Sequence, residues 1–354
     1  MWPGVIRYYR ALLPVDKEES IVTLREGNTP LLRCCNLERV INRDIKLYLK
    51  LEGLNPTCSF KDRGMTVAIS KAIEEGSRAV ICASTGNTSA SAAAYAARAG
   101  IRAYVLIPQG SISLGKLSQA MIHGAKVIEV EGNFDTALRL VQEATRKFPV
   151  TLVNSINPYR IEGQKTAAFE VCDHLGRSPD YHFLPVGNAG NITAYWKGYK
   201  EYHALGRITS LPKMMGFQAA GAAPIVLGKV VKEPQTVASA IRIGNPASWQ
   251  AALTARDDSN GVIEAVSDEE IMTTYKLLAT CEGILAEPAS AISVAGVIIK
   301  QKKGLFRKGD VVICTLTGHG LKDPDVAIQH SAKPLRIPPD LNALAALFEG
   351  EAGK

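Results

Sequence analysis

Short apolar runs recur along this chain between stretches whose apolar residues return at helical spacing, and that alternation limits the fold more than any other feature. Val80-Ile81-Cys82, Tyr104-Val105-Leu106-Ile107, Val127-Ile128, Thr151-Leu152-Val153, Phe183-Leu184-Pro185-Val186 and Val311-Val312-Ile313-Cys314 are short and apolar, as strands covered on both faces are. Ile45, Leu47, Leu49 and Leu51 alternate with polar residues and read as a half-exposed strand. Met65, Ala68, Ile69, Ala72 and Ile73 share one helical face, which Gly76 ends. Asn133 reads as the cap of a helix carrying Ala137, Leu138, Val141 and Ala144. Ser267 and Glu270 form a capping box before Ile271, Tyr275 and Leu278, and Gly283 closes that helix. Strands alternating with helices predict an α/β protein built on open, mostly parallel sheets covered by helices. After Lys333-Pro334 and Pro338-Pro339, residues Leu341, Leu344, Leu347 and Phe348 predict a short terminal helix, packing on the body or on a second subunit.

At 354 residues the chain has room for two domains, on the usual measure of roughly 100–200 residues each. The net charge of +7 comes from lysines and arginines spread along the chain. No basic cluster interleaves with aromatics, which argues against a nucleic-acid partner. Residues 1–10 lack the apolar stretch of a signal peptide, and no apolar run approaches the roughly 18–20 residues of a membrane span. A soluble, cytoplasmic protein without a membrane partner is the expectation. The seven cysteines form no C-x-x-C pair, and Cys82 and Cys314 fall in strand-like runs, so buried reduced thiols are expected rather than a disulfide framework. The six histidines show no metal-ligand spacing, and no metal is expected.

Chemistry concentrates at four places. In Ser59-Phe60-Lys61-Asp62-Arg63-Gly64 a lysine sits where the Met65 helix begins. Helix N-termini disfavour an added cation, so such a lysine gives up part of its charge, and a neutral amine can attack a carbonyl. The bland reading is a solvated turn lysine. Three loops follow strands and open helices, where open α/β sheets place ligands. Ser84-Thr85-Gly86-Asn87-Thr88 offers hydroxyls and amides at a helix start, and taken alone it would be no more than a cap. Gly187-Asn188-Ala189-Gly190-Asn191 has two glycines three apart, which let backbone surround a phosphate. Thr317-Gly318-His319-Gly320 brings a hydroxyl to a strand end.

Lysine, hydroxyl loop, glycine cradle and strand-end threonine, in that order, resemble the fold type II, tryptophan synthase β-like, pyridoxal-phosphate enzymes. Within that group, residues 85–91, Asn157-Pro158-Tyr159-Arg160, residues 242–249 and residues 318–324 are similar to threonine synthases. The resemblance runs from about Gly27 to Pro324. It implies a smaller domain over residues 56–154, a larger one formed by residues 1–55 and 155–354, and the cofactor in the cleft between them. It implies that Lys61 carries pyridoxal 5'-phosphate as a Schiff base and moves protons, and that Phe60 packs near the ring. By the same resemblance Asn87 binds the ring's phenolic oxygen, Gly187, Asn188, Ala189, Gly190 and Asn191 hold the cofactor phosphate, and Thr317 faces the ring nitrogen. A neutral hydroxyl there implies a mostly unprotonated nitrogen, favouring elimination over transamination.

The implied reaction turns O-phospho-L-homoserine and water into L-threonine and phosphate, through γ-elimination and β-addition of water. Ser84, Thr85 and Thr88 belong to the implied substrate-carboxylate loop. Lys116 and Arg160 are the candidate cations for the substrate phosphate, with Ser155, Asn188 and Thr88 adding neutral hydrogen bonds. A mild basic excess suits a phosphorylated cofactor and substrate. A homodimer is expected. The rival readings are a threonine or serine dehydratase, which needs no leaving-phosphate site, and a non-catalytic binding protein on the same fold.

Overall fold

The computed structural model describes residues 1–109, 114–132 and 134–351, the side chains of residues 114–116, 134, 135 and 349–351 excepted. Asn133, the expected helix cap, lies outside the described residues. Ten strands are present among these: β1 (Leu31–Arg33), β2 (Lys46–Leu51), β3 (Ala79–Ala83), β4 (Arg102–Pro108), β5 (Lys126–Val130), β6 (Thr151–Leu152), β7 (Tyr181–Pro185), β8 (Lys213–Ala219), β9 (Val262–Val266) and β10 (Val311–Leu316). They form two sheets, one of six strands in the order β1-β2-β10-β7-β8-β9 and one of four in the order β5-β4-β3-β6. All neighbours run parallel except β1, which pairs antiparallel with β2. With helices between the strands, this is the two-domain α/β fold that the alternation predicts.

Strands β3, β7 and β10 are buried along their whole length, as continuous apolar runs require. Val127-Ile128 was expected to be covered on both faces, but β5 is an edge strand with exposed and half-exposed residues throughout. Strands β1, β8 and β9 have no counterpart among the apolar runs. In β8, Gly216 and Gln218 break the pattern, and Gly216 is there because a Cβ would lie 2.8 Å from Val186 Cγ2. The capping box of Ser267 and Glu270 forms, and Gly283 closes its helix at φ 67°, its N–H on the Ala279 carbonyl and the Ile284 N–H on the Leu278 carbonyl.

The helix Lys61–Glu74 serves two cores. Met65, Ala68, Ile69 and Ala72 pack with Val80, Cys82, Val105 and Ile107 of the four-stranded sheet. Val67 turns to the other core, with Phe169, Leu184 and Tyr195. Val22 joins the first of these cores although it precedes residue 56. Residues 324–354 form a separate compact unit with helices Pro324–His330 and Leu341–Glu351. All seven cysteines are free thiols. Among the described residues no helix is long and apolar enough to cross a membrane.

Candidate active site

Lys61 is the first residue of its helix, and the chain before it is pinned to the end of β10. The Phe60 N–H donates to the Thr317 carbonyl at 2.9 Å, and the His319 N–H donates to the Cys58 carbonyl at 3.0 Å. Ser59 and Gly318 form the bridge between these bonds. Behind Lys61, the buried Asp62 carboxylate accepts from the Thr57 N–H at 2.6 Å and from Ser91 Oγ at 2.6 Å. Arg63 donates from Nε to Glu52 at 2.7 Å and from Nη1 to Glu170 at 2.7 Å, and Lys50 pairs with Glu170 at 2.6 Å, all buried. Lys61 is therefore held from both sides by groups fixed in the protein interior.

The amine has the property its position predicts. Burial, then repulsion from Arg160, pushes Lys61 down to about 7, with Glu287 opposing. The side chain as a whole is only half-buried, yet its Nζ stands 4.3 Å from the centroid of the Phe60 ring. A substantial neutral fraction near pH 7 makes it a nucleophile.

Arg160 follows the cap Asn157 in helix Pro158–Gln164, where Asn157 Oδ1 accepts the Tyr159 N–H. The guanidinium is buried and gives Nη1 to the Val153 carbonyl at 2.8 Å, while its buried Nε meets no acceptor. Among the described residues no carboxylate forms an ion pair with it. Burial pushes it down to about 10, with Cys82 and Asp62 opposing. It is not the surface ion pair that a bland reading would make it. Lys116 lies on helix Leu114–Ile122, and its side chain is outside the described residues.

The loop of residues 84–88 leaves the C-terminal end of β3, where Asn154 holds Ala83 by both N–H and carbonyl, at 2.8 and 3.0 Å. Ser84 Oγ accepts the Gly86 N–H, and Asn87 opens the next helix; Thr85 and Thr88 are half-buried. The glycine loop leaves β7, a direct parallel neighbour of β10, so it and the Thr317 loop lie at the same end of the six-stranded sheet. Helix Gly190–Ala204 starts there, with Ala189 left-handed at φ 65°. A Cβ on Gly187 would lie 3.0 Å from Ile241 Cα, whereas one on Gly190 would meet nothing closer than 3.5 Å, so only the first glycine is sterically required. Asn188 ties the loop down: it donates to Ser155 Oγ at 2.9 Å, and it accepts the Ala247 N–H on Oδ1 at 2.8 Å and the Ser248 N–H on its carbonyl at 3.2 Å. The 242–249 motif thus buttresses the loop.

One residue here has no counterpart in the sequence reading. Glu287 is buried and accepts from Asn87 Nδ2 at 3.1 Å and from Thr317 Oγ1 at 3.0 Å. Burial raises its pKa, against the two hydrogen bonds and the charges of Lys322 and Lys61. It gathers Asn87 and Thr317, with Lys61 close by. The available signal was an acid set before Pro288 at the head of the apolar helix Pro288–Lys302.

Residues 22–318 match the family model described as pyridoxal-phosphate dependent enzyme. The chain belongs to that family. Among its pyridoxal-phosphate-dependent relatives, the threonine synthase of Mycobacterium bovis is 58% identical over 340 residues, 96% of this chain and 94% of the relative. That of Halalkalibacterium halodurans is 56% identical over 100% of this chain and 99% of its own, and that of Methanocaldococcus jannaschii is 53% identical over 98% and 87%. Within the family, then, the chain falls among the threonine synthases. Maize serine racemase has the same fold, with a TM-score of 0.72 at 20% identity, covering 99% of this chain and 98% of that one.

The residues present fit the family's cofactor. Among the described residues none accepts a hydrogen bond from the main-chain N–H of Gly187, Asn188, Ala189, Gly190 or Asn191, so five amides at a helix N-terminus remain for a phosphate. The lysine amine is depressed, as carbonyl capture needs.

Proposed function

We propose that this chain makes L-threonine and phosphate from O-phospho-L-homoserine and water, with its pyridoxal-phosphate site built as follows. Lys61 binds the cofactor, the amides of Gly187–Asn191 hold its phosphate, and Phe60, Asn87 and Thr317 surround its ring. Bound there, pyridoxal phosphate supplies an electron sink for the carbanions that elimination requires. Lys61, once released by substrate, removes the Cα proton; its depressed pKa leaves the amine free to accept it near neutrality. Ser84, Thr85 and Thr88 bind the substrate carboxylate. Arg160 and Lys116 take the leaving phosphate, with Ser155, Asn188 and Thr88 beside them.

A buried guanidinium without a carboxylate ion-pair partner among the described residues, close enough to Lys61 to depress its amine, carries this reading. A buried unpaired cation is costly unless an anion completes it, and a substrate phosphate would complete Arg160. The assay measures threonine and phosphate together from O-phospho-L-homoserine; equal release is expected. Efficient deamination of L-threonine, with inertness toward the phosphorylated substrate, would make the chain a dehydratase instead.

The two sheets support a smaller domain over residues 56–154, which holds β3–β6, and a larger one over residues 1–55 and 155–354. We further read the protein as a cytoplasmic homodimer. Light scattering after gel filtration would return twice the chain mass, and a single-chain mass would end that reading.

A further inference from the structure

Lys322 has no part in the reaction as assigned, yet its amine joins two segments that have one. It ends a short 3₁₀ turn, Gly320–Lys322, that follows β10 of the six-stranded sheet. The turn is pinned along its length. The His319 N–H donates to the Cys58 carbonyl, His319 Nδ1 accepts the Leu321 N–H, and the Asp323 carboxylate accepts from Ser239 Oγ at 2.6 Å. From this base the half-buried Lys322 donates from Nζ to the Thr57 carbonyl at 3.2 Å and to Gln119 Oε1. An ammonium only donates, so the Gln119 contact runs through the amide oxygen.

The two acceptors belong to different parts of the site. Thr57 lies in the turn before Lys61, and its N–H and hydroxyl donate to the Asp62 carboxylate at 2.6 and 2.5 Å. Gln119 lies on helix Leu114–Ile122, which follows β4 of the four-stranded sheet. Lys116 is three positions away on that helix, so the two positions are neighbours on its surface. Leu117 and Ala120 pack the helix into the core on the four-stranded sheet. Apolar packing is non-directional and leaves so short a helix free to roll, whereas a hydrogen bond has a direction and stops it. Burial pushes the Lys322 amine down, with Cys58, Glu287 and Asp62 opposing. Among the described residues no carboxylate forms an ion pair with it, and both of its acceptors are neutral.

We propose that Lys322 is a positioning residue that fixes the helix of Lys116 against the turn leading to Lys61, and so sets the place of the Lys116 charge for the substrate phosphate. This rests on the assignment of Lys116 to that phosphate. Breaking the tie leaves cofactor capture intact and weakens phosphate recognition.

The test uses holoenzyme, with inorganic phosphate as the probe in titration calorimetry and O-phospho-L-homoserine in steady-state assays. In Lys322→Met and in Gln119→Leu, phosphate binding should weaken about tenfold and KM should rise. Cofactor content, cofactor absorbance and Tm should stay near the parent's. Gln119→Leu keeps the Lys322 charge, so its loss reports the tie and not a missing cation. Lys322→Arg keeps the donors and should recover most of the binding. Lys116→Ala should lower kcat/KM less in the Lys322→Met background than in the parent, by about threefold or more, because residues that act through one another are not additive. Parent-like phosphate binding in Gln119→Leu, or losses from Lys322→Met and Lys116→Ala that multiply in full, overturns the role of Lys322. If Lys322→Met does not fold, Gln119→Leu combined with Lys116→Ala completes the same cycle. A Lys116→Ala variant with the parent's turnover would instead overturn the phosphate assignment on which the proposal rests.

Discussion

A Cβ added to Gly163 would lie 1.8 Å from the carbonyl oxygen of Arg63, so the helix of Lys61 and the helix of Arg160 touch through bare backbone. Gly64 completes the contact from the other side, where a Cβ would lie 2.6 Å from the Arg160 carbonyl oxygen. This close approach brings the Arg160 charge within reach of the Lys61 amine. No side chain fits between them.

Gly163→Ala tests that contact, because two effects oppose each other. Helix propensity alone favours alanine by about 1 kcal/mol. Overpacking against rigid backbone costs about 1–3 kcal/mol or more, and at 1.8 Å the upper end applies. The variant should therefore lose stability in urea titration and should also lose kcat, since the two helices must separate. A gain in midpoint denaturant concentration would mean the crossing is looser than described.

The buried pairs of Arg63 with Glu52 and Glu170 predict a large loss on truncation. Arg63→Leu leaves the buried Glu170 to Lys50 and the Asn28 N–H and the buried Glu52 to the neutral donors of Thr29 and Asn55, and removing one partner of such a network costs about 3–5 kcal/mol. The exposed pair Arg7–Glu18, with side chains 41% and 63% exposed, is the control; Arg7→Ala should cost about 0.5 kcal/mol or less. Chemical denaturation of both variants beside the parent makes the comparison. Similar small losses would show that the buried network contributes little.

Much of this architecture is legible in the residues. The Lys61 helix, the loops after β3, β7 and β10 and the capping box of Ser267 follow from local rules, because each is specified by neighbours in sequence. What escaped depends on distant partners. Strand β8 hides because Gly216 answers to Val186 and not to its own strand. Glu287 hides because a single acid beside a proline is an ordinary helix start until Asn87 and Thr317 arrive from elsewhere. Arg160 gives no hint in sequence of its burial, which comes from packing against Gly64.

Lys61 also makes the stability of the apoprotein depend on pH. Its folded pKa of about 7 lies below the unfolded value of 10.5, so between the two the unfolded chain binds the extra proton. Stability then rises with pH across that window, from about 7 to 10.5, and the penalty is largest at its lower end. Lys61→Met removes the penalty. Each unit corresponds to about 1.4 kcal/mol, and solvent access to the half-buried side chain reduces the total, so a gain of about 2 kcal/mol at pH 7 is expected. At pH 10 the gain should nearly vanish. Denaturation of the two apoproteins at both values gives the difference, and an equal gain at pH 7 and pH 10 would assign it to packing alone.

Arg160 should trade stability for turnover. Its guanidinium is buried and hydrogen-bonded to the Val153 carbonyl, and its Nε has no acceptor. Without substrate, such a charge costs free energy, and Arg160→Met keeps much of the volume while removing it. The variant should unfold at an equal or higher denaturant concentration than the parent. Its kcat/KM for O-phospho-L-homoserine should nevertheless fall about 30-fold or more, because losing one partner of a desolvated ion pair costs about 2–5 kcal/mol and each 1.36 kcal/mol is a factor of ten. Cofactor content should hold, since we propose that the amides of Gly187–Asn191 bind a different phosphate. Inorganic phosphate should inhibit the variant less than the parent. Lys116→Ala should lower kcat/KM in the same way and also retain its cofactor. If Arg160→Met turns over normally, or fails only because the cofactor is lost, the substrate phosphate is bound elsewhere.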